Sequence, residues 1–265
     1  MSDTNTAQGD DLAVDLEVHG NVLVMTINRP KAKNAVNSAV ARGIEAGIDR
    51  LEESDDLWIG VIAAVGDVFC AGADLKEINS GNAAGMMTAR GGFGGFVYRE
   101  RTKPVIAAVD GLATAGGCEI VLACDMVVAS TRASFGLAEV KRNLVAGAGG
   151  LFRLPRVLPP NVAMEAILTA TPIPADRAHA LGMVNRLTEP GEALSGALGL
   201  AADITRNAPV AVWESRGVAK AATAAGEDEL KKLTDQAFGK VLSSEDTKEG
   251  LEAFIEKRTP NWKGR

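Results

Sequence analysis

From its twelfth residue the chain alternates apolar and polar positions: Leu12-Ala-Val-Asp-Leu-Glu-Val18 has period two, the pattern of a half-buried strand. His19-Gly20 supplies a turn, and Val22-Leu-Val-Met-Thr-Ile27 is a nearly continuous apolar run, so the two segments predict a β-hairpin. Pro30 ends the second strand. Val40, Ile44, Ile48 and Leu51 then recur at helical spacing and predict one amphipathic helix. Trp58-Ile-Gly-Val-Ile-Ala-Ala64, Val105-Ile-Ala-Ala-Val109 and Met126-Val-Val-Ala129 are short apolar runs bounded by Gly, Asp or Pro, with helical stretches between or after them. They predict buried parallel strands in a β/α core with right-handed crossovers.

Strand and helix alternate to about residue 150, and beyond residue 160 the pattern is almost wholly helical. Asn161 is the expected N-cap of a helix over 162–168. Ser244 is the expected cap of the last helix, with Glu245 and Asp246 in its first turn and Leu251, Phe254 and Ile255 on its apolar face. Between Asn79 and Gly95 lie six glycines, Met86, Met87 and Phe93 without a clear period, which predicts a mobile loop. No internal repeat or low-complexity tract is apparent.

With 265 residues, 46% hydrophobic and 23% charged, the chain can bury a large core without help from a metal or disulfide. A net charge of −6 disfavours nucleic acid and anionic membrane surfaces as partners, because the field of the whole chain repels phosphate. Cys70, Cys118 and Cys124 form no CxxC pair, and His19 and His179 are the only histidines, so neither a disulfide framework nor a metal site is expected. The first eleven residues are polar and acidic with no apolar signal core, and no long apolar run follows; a cytoplasmic protein is the expectation.

Several familiar chemistries lack their residues. Gly92-Phe93-Gly94 has Val97 where a dinucleotide fingerprint needs glycine, and Gly147-Ala148-Gly149 has Phe152 there; no P-loop and no GxSxG elbow occur. That leaves carboxylates and backbone. Phe69-Cys-Ala-Gly-Ala-Asp-Leu-Lys76 follows a predicted strand, and Asp110-Gly-Leu-Ala-Thr-Ala-Gly-Gly-Cys-Glu119 runs from strand into helix. Small residues there can turn main-chain N–H groups outward, and two such turns can build a two-donor oxyanion hole. Equally, the small residues can do no more than permit tight turns.

These segments resemble the enoyl-CoA hydratase (crotonase) family in order and spacing. The resemblance takes in Ile27-Asn-Arg-Pro-Lys31 with Asn34-Ala35, the Phe69–Lys76 segment, Lys103 to Gly111, Gly116-Gly-Cys-Glu119, and Ala133-Ser-Phe-Gly136 with Glu139. It continues through Gly147-Ala-Gly-Gly150 to Ser244-Glu-Asp, Glu249-Gly250 and Ala253 to Arg258, covering about residues 12–263. The resemblance implies an α/β fold: a ClpP-like spiral of β-β-α units with two roughly perpendicular sheets over residues 12–200, followed by a helical trimerisation region over 201–265. Residues 1–11 are expected to be a disordered tail.

By the same resemblance the substrate is an acyl-CoA thioester, no separate cofactor is needed, and the assembly is a homotrimer or a hexamer of paired trimers. The peptide N–H groups of Ala73 and Gly116 would hold the thioester oxygen. Glu139 would exchange the proton at the α carbon while Glu119 activates the water that adds at the β carbon. The coenzyme would be met by Lys31, Ala71, Asp74, Leu75 and Lys76, with Phe238, Phe254 and Lys257 contributed by the C-terminal helices, in some members from a neighbouring subunit. Arg29 and Lys33 are further cations near the first strand's end, and Met86, Met87 and Phe93 are placed to line the acyl end.

Glutamate at both positions favours reversible hydration of an enoyl-CoA. The alternatives are an enoyl-CoA isomerase, a carnitinyl-type dehydratase of the same fold, and a non-catalytic acyl-CoA-binding protein. Three positions depart from the common pattern: Ala115 stands where a third glycine is frequent, and Ala138 and Ala146 stand where proline is frequent. Without those prolines the backbone beside Glu139 is less constrained.

Overall fold

The computed structural model describes residues 13–265, and the tail expected over residues 1–11 lies outside them. Strands β1 (Val14–His19) and β2 (Val22–Ile27) pair antiparallel around Gly20, whose φ of 58° suits glycine. Leu16 and Val18 of this edge strand are exposed, so its alternation does not produce the half-buried face the sequence suggests. Helix α1 (Ser38–Glu53) is capped by the Asn37 side chain, which accepts the Val40 N–H, and it buries the whole expected stripe of Val40, Ile44, Ile48 and Leu51. A Cβ on Gly47 would lie 2.7 Å from Met25 Sδ; glycine lets this helix rest directly on β2.

A three-part unit then recurs. Strand β3 (Ile59–Ala64) joins the main sheet, β4 (Val68–Cys70) crosses to a second sheet, and α2 (Leu75–Asn79) follows. After a small antiparallel pair, β5 (Met87–Thr88) and β6 (Gly92–Phe93), the unit returns as β7 (Val105–Val109), β8 (Leu112–Thr114) and α3 (Gly116–Ala123). It returns again as β9 (Met126–Ser130), β10 (Ser134–Gly136) and α4 (Gly150–Val157). The repeat has no counterpart in the amino-acid pattern, because the second strand of each unit is only three residues long.

The chain continues through α5 (Pro160–Thr169), β11 (Ile173–Pro174), α6 (Ala175–Ala180), β12 (Arg186–Thr188) and α7 (Ala193–Thr205) to α8 (Pro209–Ala221), α9 (Glu227–Ser243) and α10 (Glu245–Glu256). The main sheet runs β1-β2-β3-β7-β9-β12, parallel from β2 onward, and the second runs β11-β10-β8-β4 with β4, β8 and β10 parallel. One apolar cluster fills the space between the main sheet, α1 and the second sheet; another lies on the opposite face, where Ala197 and Ala201 of α7 meet Val24, Val61 and Ile106. Alanines let α7 approach the sheet closely.

Three local expectations are corrected. Helix α5 begins one residue before Asn161, with Pro160 in its first turn, where proline's missing N–H costs nothing. The segment 79–95 is folded: residues 83–86 form a 3-10 turn leading into the β5–β6 pair, and Met86 and Phe93 are buried. Beyond residue 160 the chain is mostly helical, and the short strands β11 and β12 each extend a sheet. Ser244 does precede α10, but its hydroxyl donates to the Val241 carbonyl instead of capping the helix.

Candidate active site

Three parallel strands of the second sheet end side by side. Cys70 and Ala113 are register partners across β4 and β8, and Thr114 and Gly136 across β8 and β10, so the turns that follow all open at one edge, at the carboxyl ends of the strands. Those turns carry Ala71 to Asp74, Ala115 with Gly116, and Ala138 with Glu139. Glu119 stands one helical turn beyond Ala115, and Glu139 three residues beyond Gly136; the neighbouring strands, not the sequence interval, bring the two carboxylates together.

The backbone donors follow from the pairing. Val36 forms a parallel bridge with Ala73 by donating its N–H to Gly72 and accepting that of Asp74, which turns the Ala73 peptide away from Val36. The Ala73 N–H finds no acceptor among the described residues. On the second turn the Ala115 N–H is used by the Gly136 carbonyl at 2.8 Å, so the first unspent donor of α3 is Gly116. Gly72, at φ 91°, lies against this turn: a Cβ there would be 3.0 Å from Ala115 Cβ and 3.2 Å from Gly116 N. The two free N–H groups therefore belong to adjoining turns. On Gly117 a Cβ would be 2.3 Å from the Cys70 carbonyl oxygen, so its absence allows α3 to start tight against β4.

Glu119 is buried in the first turn of α3, and its Oε1 accepts the Gly150 N–H at 2.9 Å. Burial pushes its carboxyl up to about 7; the Gly150 N–H opposes the rise, the charge of Glu139 adds to it, and Arg153 opposes it. Glu139 opens a short 3-10 turn over Glu139–Arg142. Its Oε2 is buried with no hydrogen-bond partner among the described residues, and burial raises its carboxyl as well, against the nearby Arg142. Two acids of raised pKa, one of which feels the charge of the other, next to two unspent N–H donors, can take and give protons while stabilising a negative oxygen. Phe93 packs over the turn, since a Cβ on Gly116 would lie 2.3 Å from its ring.

The remaining sequence-derived positions divide into two sets. Around the first turn, Lys31, Lys33, Leu75 and Lys76 are exposed, and the three lysines have no ion-pair partner among the described residues. The Ala71 N–H donates to the Lys33 carbonyl, and the Ala71 carbonyl accepts no bond among the described residues. Asp74 is occupied within the chain: Oδ1 accepts the Lys76 N–H and Oδ2 accepts Arg29 Nη2, each at 2.9 Å. Burial would raise its carboxyl, but the Arg29 guanidinium and the Lys76 N–H hold it below the usual range. Arg29 is thereby spent on Asp74 and on the Ala35 carbonyl, which removes it as a free cation.

Phe238, Phe254 and Lys257 stay apart from the glutamates of their own chain. They are exposed on α9 and at the end of α10, which pack on α8 and on each other. The C-terminal segment is tied to the far side of the main sheet, where Trp262 Nε1 donates to the Arg206 carbonyl. A cavity of about 750 Å³ lies at that side too, between α7, α8 and residues Pro104, Asp125 and Met126, and neither glutamate nor either of the two turns lines it.

The sequence reading gave no role to three contributors. Asn34 is fully buried and staples the first turn, accepting from Arg29 N and donating to the Val65 and Val68 carbonyls. Arg153 and Tyr98 hold the loop that leads to Gly150. The Gly147–Gly150 motif pointed to the loop, but nothing local pointed to its braces. Burial also raises all three thiols, Cys70 to about 11 and Cys124 to about 12, which leaves them unreactive near neutral pH.

The family model described as enoyl-CoA hydratase/isomerase matches residues 17–265. Mevalonyl-coenzyme A hydratase sidH of Aspergillus fumigatus is 39% identical over 256 residues, covering 92% of either chain. The short-chain-enoyl-CoA hydratase of Clostridium acetobutylicum is also 39% identical, covering 92% of this chain and 95% of its own. The crystal structure of an enoyl-CoA hydratase from Mycobacterium tuberculosis H37Rv superposes with a TM-score of 0.91 at 45% identity, covering 96% of this chain and 99% of that one.

Proposed function

The chain belongs to the enoyl-CoA hydratase/isomerase family, and on that premise we propose that it reversibly hydrates the 2,3-double bond of an enoyl-CoA thioester. The observation that carries the reading is the pairing of Glu119 and Glu139 at adjoining strand ends beside the free N–H groups of Ala73 and Gly116.

In the forward direction Glu119 accepts a proton from water as its oxygen bonds to the β carbon. The double-bond electrons shift toward the thioester, and the charge that grows on its oxygen is met by the Ala73 and Gly116 N–H groups. Glu139 then gives its proton to the α carbon, completing the 3-hydroxyacyl-CoA; proton exchange with solvent restores both acids. Donors aimed at the oxyanion contribute most where charge develops, about 3 kcal/mol for one such group. The reaction asks for no metal or redox group.

The coenzyme phosphates are assigned to Lys31, Lys33 and Lys76, and the adenine amino group to the Ala71 carbonyl. Asp74 serves indirectly, by capping α2 so that Leu75 and Lys76 are presented. Phe238, Phe254 and Lys257 are assigned to the site of a neighbouring subunit in a trimer or hexamer, with residues 12–200 as the core and 201–265 as the assembling region. Exposed Phe254 and Ile255, at 84% and 78%, support that assignment, since large apolar side chains this bare are normally covered by a partner. Light scattering would then give a multiple of the chain mass, and a stable monomer would overturn the assembly. A cytoplasmic role in fatty-acid β-oxidation or a related acyl-CoA route is part of the proposal; among the described residues no helix is long and apolar enough to cross a membrane.

The test is the loss of conjugated-thioester absorbance on mixing the protein with crotonyl-CoA and longer trans-2-enoyl-CoAs. Glu119→Gln and Glu139→Gln should each lower kcat by about 100-fold or more with the fold intact. Thioester binding without turnover on the panel would favour the binding-protein alternative. Near-normal rates in either variant would overturn the hydratase roles.

A further inference from the structure

The loop that presents the Gly150 N–H is held from outside the site. Arg153, one turn into α4, donates Nη1 to the Ala148 carbonyl at 3.0 Å and Nη2 to the Val97 carbonyl at 2.5 Å. Its guanidinium lies 5.5 Å from the Tyr98 ring centre and 5.1 Å from that of Phe152. Tyr98 in turn donates its hydroxyl to the Gly147 carbonyl at 2.9 Å. Two successive carbonyls of the loop are thus pinned, that of Gly147 by Tyr98 and that of Ala148 by Arg153, which is itself tied to the Val97 carbonyl, and the next residue, Gly149, turns the chain at φ 108°. A Cβ on Gly149 would lie 2.2 Å from Arg153 Nη1, so the side chain and the turn are fitted to each other. The Gly150 N–H that emerges is the one Glu119 accepts.

We infer that Arg153, braced by Tyr98, is a positioning residue for hydration: it fixes the Gly147–Gly150 loop so that the Gly150 N–H holds one oxygen of Glu119 and leaves the other for water. The inference rests on the reading of Glu119 as the group that activates water. A guanidinium here is costly to keep, because burial works against its charge. Its charge also favours the ionised form of Glu119, the form that can take a proton from water. Geometry and charge act in the same direction.

The experiment compares Arg153→Met, Arg153→Lys and Tyr98→Phe with the unaltered full-length protein in crotonyl-CoA hydration, across pH, alongside thermal unfolding. In Arg153→Met kcat should fall about 30-fold with KM changed less than about threefold, because orientation of the base is lost while thioester contacts remain. The acidic limb of its kcat profile should move to higher pH, since both the charge and the peptide N–H that favour ionised Glu119 are weakened. Arg153→Lys should recover part of the rate and of the pH shift. Tyr98→Phe removes one hydroxyl and should lower kcat a few-fold in the same direction; it carries the test if Arg153→Met does not fold.

A rise in KM alone, or a folded variant with unchanged kcat and an unchanged profile, would overturn the inference. Glu119→Gln separates the two levels: an inactive Glu119→Gln with a fully active Arg153→Met defeats only the positioning role. A fully active Glu119→Gln defeats the reading beneath it.

Discussion

Gly150 donates its peptide N–H to Glu119 Oε1 at 2.9 Å, although 31 residues separate them in the chain. The bond leaves the carboxyl with one committed oxygen, and burial, working against that bond, raises its pKa to about 7. An acid so placed is half ionised near neutrality, where a proton acceptor for water is most useful. Hydration should therefore gain kcat as pH rises through about 7, because the ionised form is the reactive one. A pH profile of kcat on crotonyl-CoA checks this; a rate already flat from pH 5 upward would contradict it.

The same burial makes Glu119 a liability to the fold. Its pKa is raised from 4.5 to about 7, so the folded state favours the proton; that contribution is complete below 4.5 and is lost as pH rises through about 7. Glu119→Gln keeps an acceptor for the Gly150 N–H and carries no charge. The variant should thus gain stability over the parent by about 2 kcal/mol at pH 8, with little gain at pH 4.5. Urea unfolding at the two pH values measures the difference, and a gain that is equal at both would refute the burial argument.

Ala115 sits at φ 51° and ψ −128°, a region that suits glycine, immediately before the free N–H of Gly116. Its N–H to Gly136 and its carbonyl to Glu119 N hold the turn in that shape. Strain of this kind costs about 1–3 kcal/mol, partly offset by the greater freedom of an unfolded glycine. Ala115→Gly should stabilise the protein by about 1 kcal/mol with hydration rates within about twofold. A destabilised Ala115→Gly would mean that the methyl packs more favourably than the backbone is strained.

Lys31 and Lys76 flank the first turn and are exposed. Replacing both by alanine should raise KM for crotonyl-CoA about tenfold, more at low ionic strength than at high, and leave kcat nearly unchanged, since a cation on a remote phosphate binds ground and transition states alike. An unaltered KM at low salt would assign the phosphates to other residues.

The elements legible in the amino-acid pattern are those whose signal is local and long. The stripe of α1, the hairpin and the runs that became β3, β7 and β9 each span five or more residues with one dominant burial pattern. The strands that build the site were not legible from periodicity, because β4, β8 and β10 contain three residues each and no period can be read from three. The loop over 79–95 misled for a related reason: its glycines suggest freedom, whereas Phe93 and Met86 supply burial that holds it.

By itself, the amino-acid sequence determined the pool of chemistry: two glutamates, small residues at two strand-to-helix turns, and the order of motifs shared with an acyl-CoA family. It also lacks a dinucleotide fingerprint, a P-loop and a GxSxG elbow. Only the tertiary structure decided which groups meet. The parallel pairing of three short strands sets Ala73, Gly116, Glu119 and Glu139 at one edge. The same folding sends Arg29 to Asp74 and leaves Phe254 bare. The physical reason is that pairing, burial and pKa depend on neighbours distant in sequence. Glu119 owes its raised pKa to a dry environment and to the charge of Glu139, against the pull of a peptide N–H 31 residues away, none of which its own segment can supply.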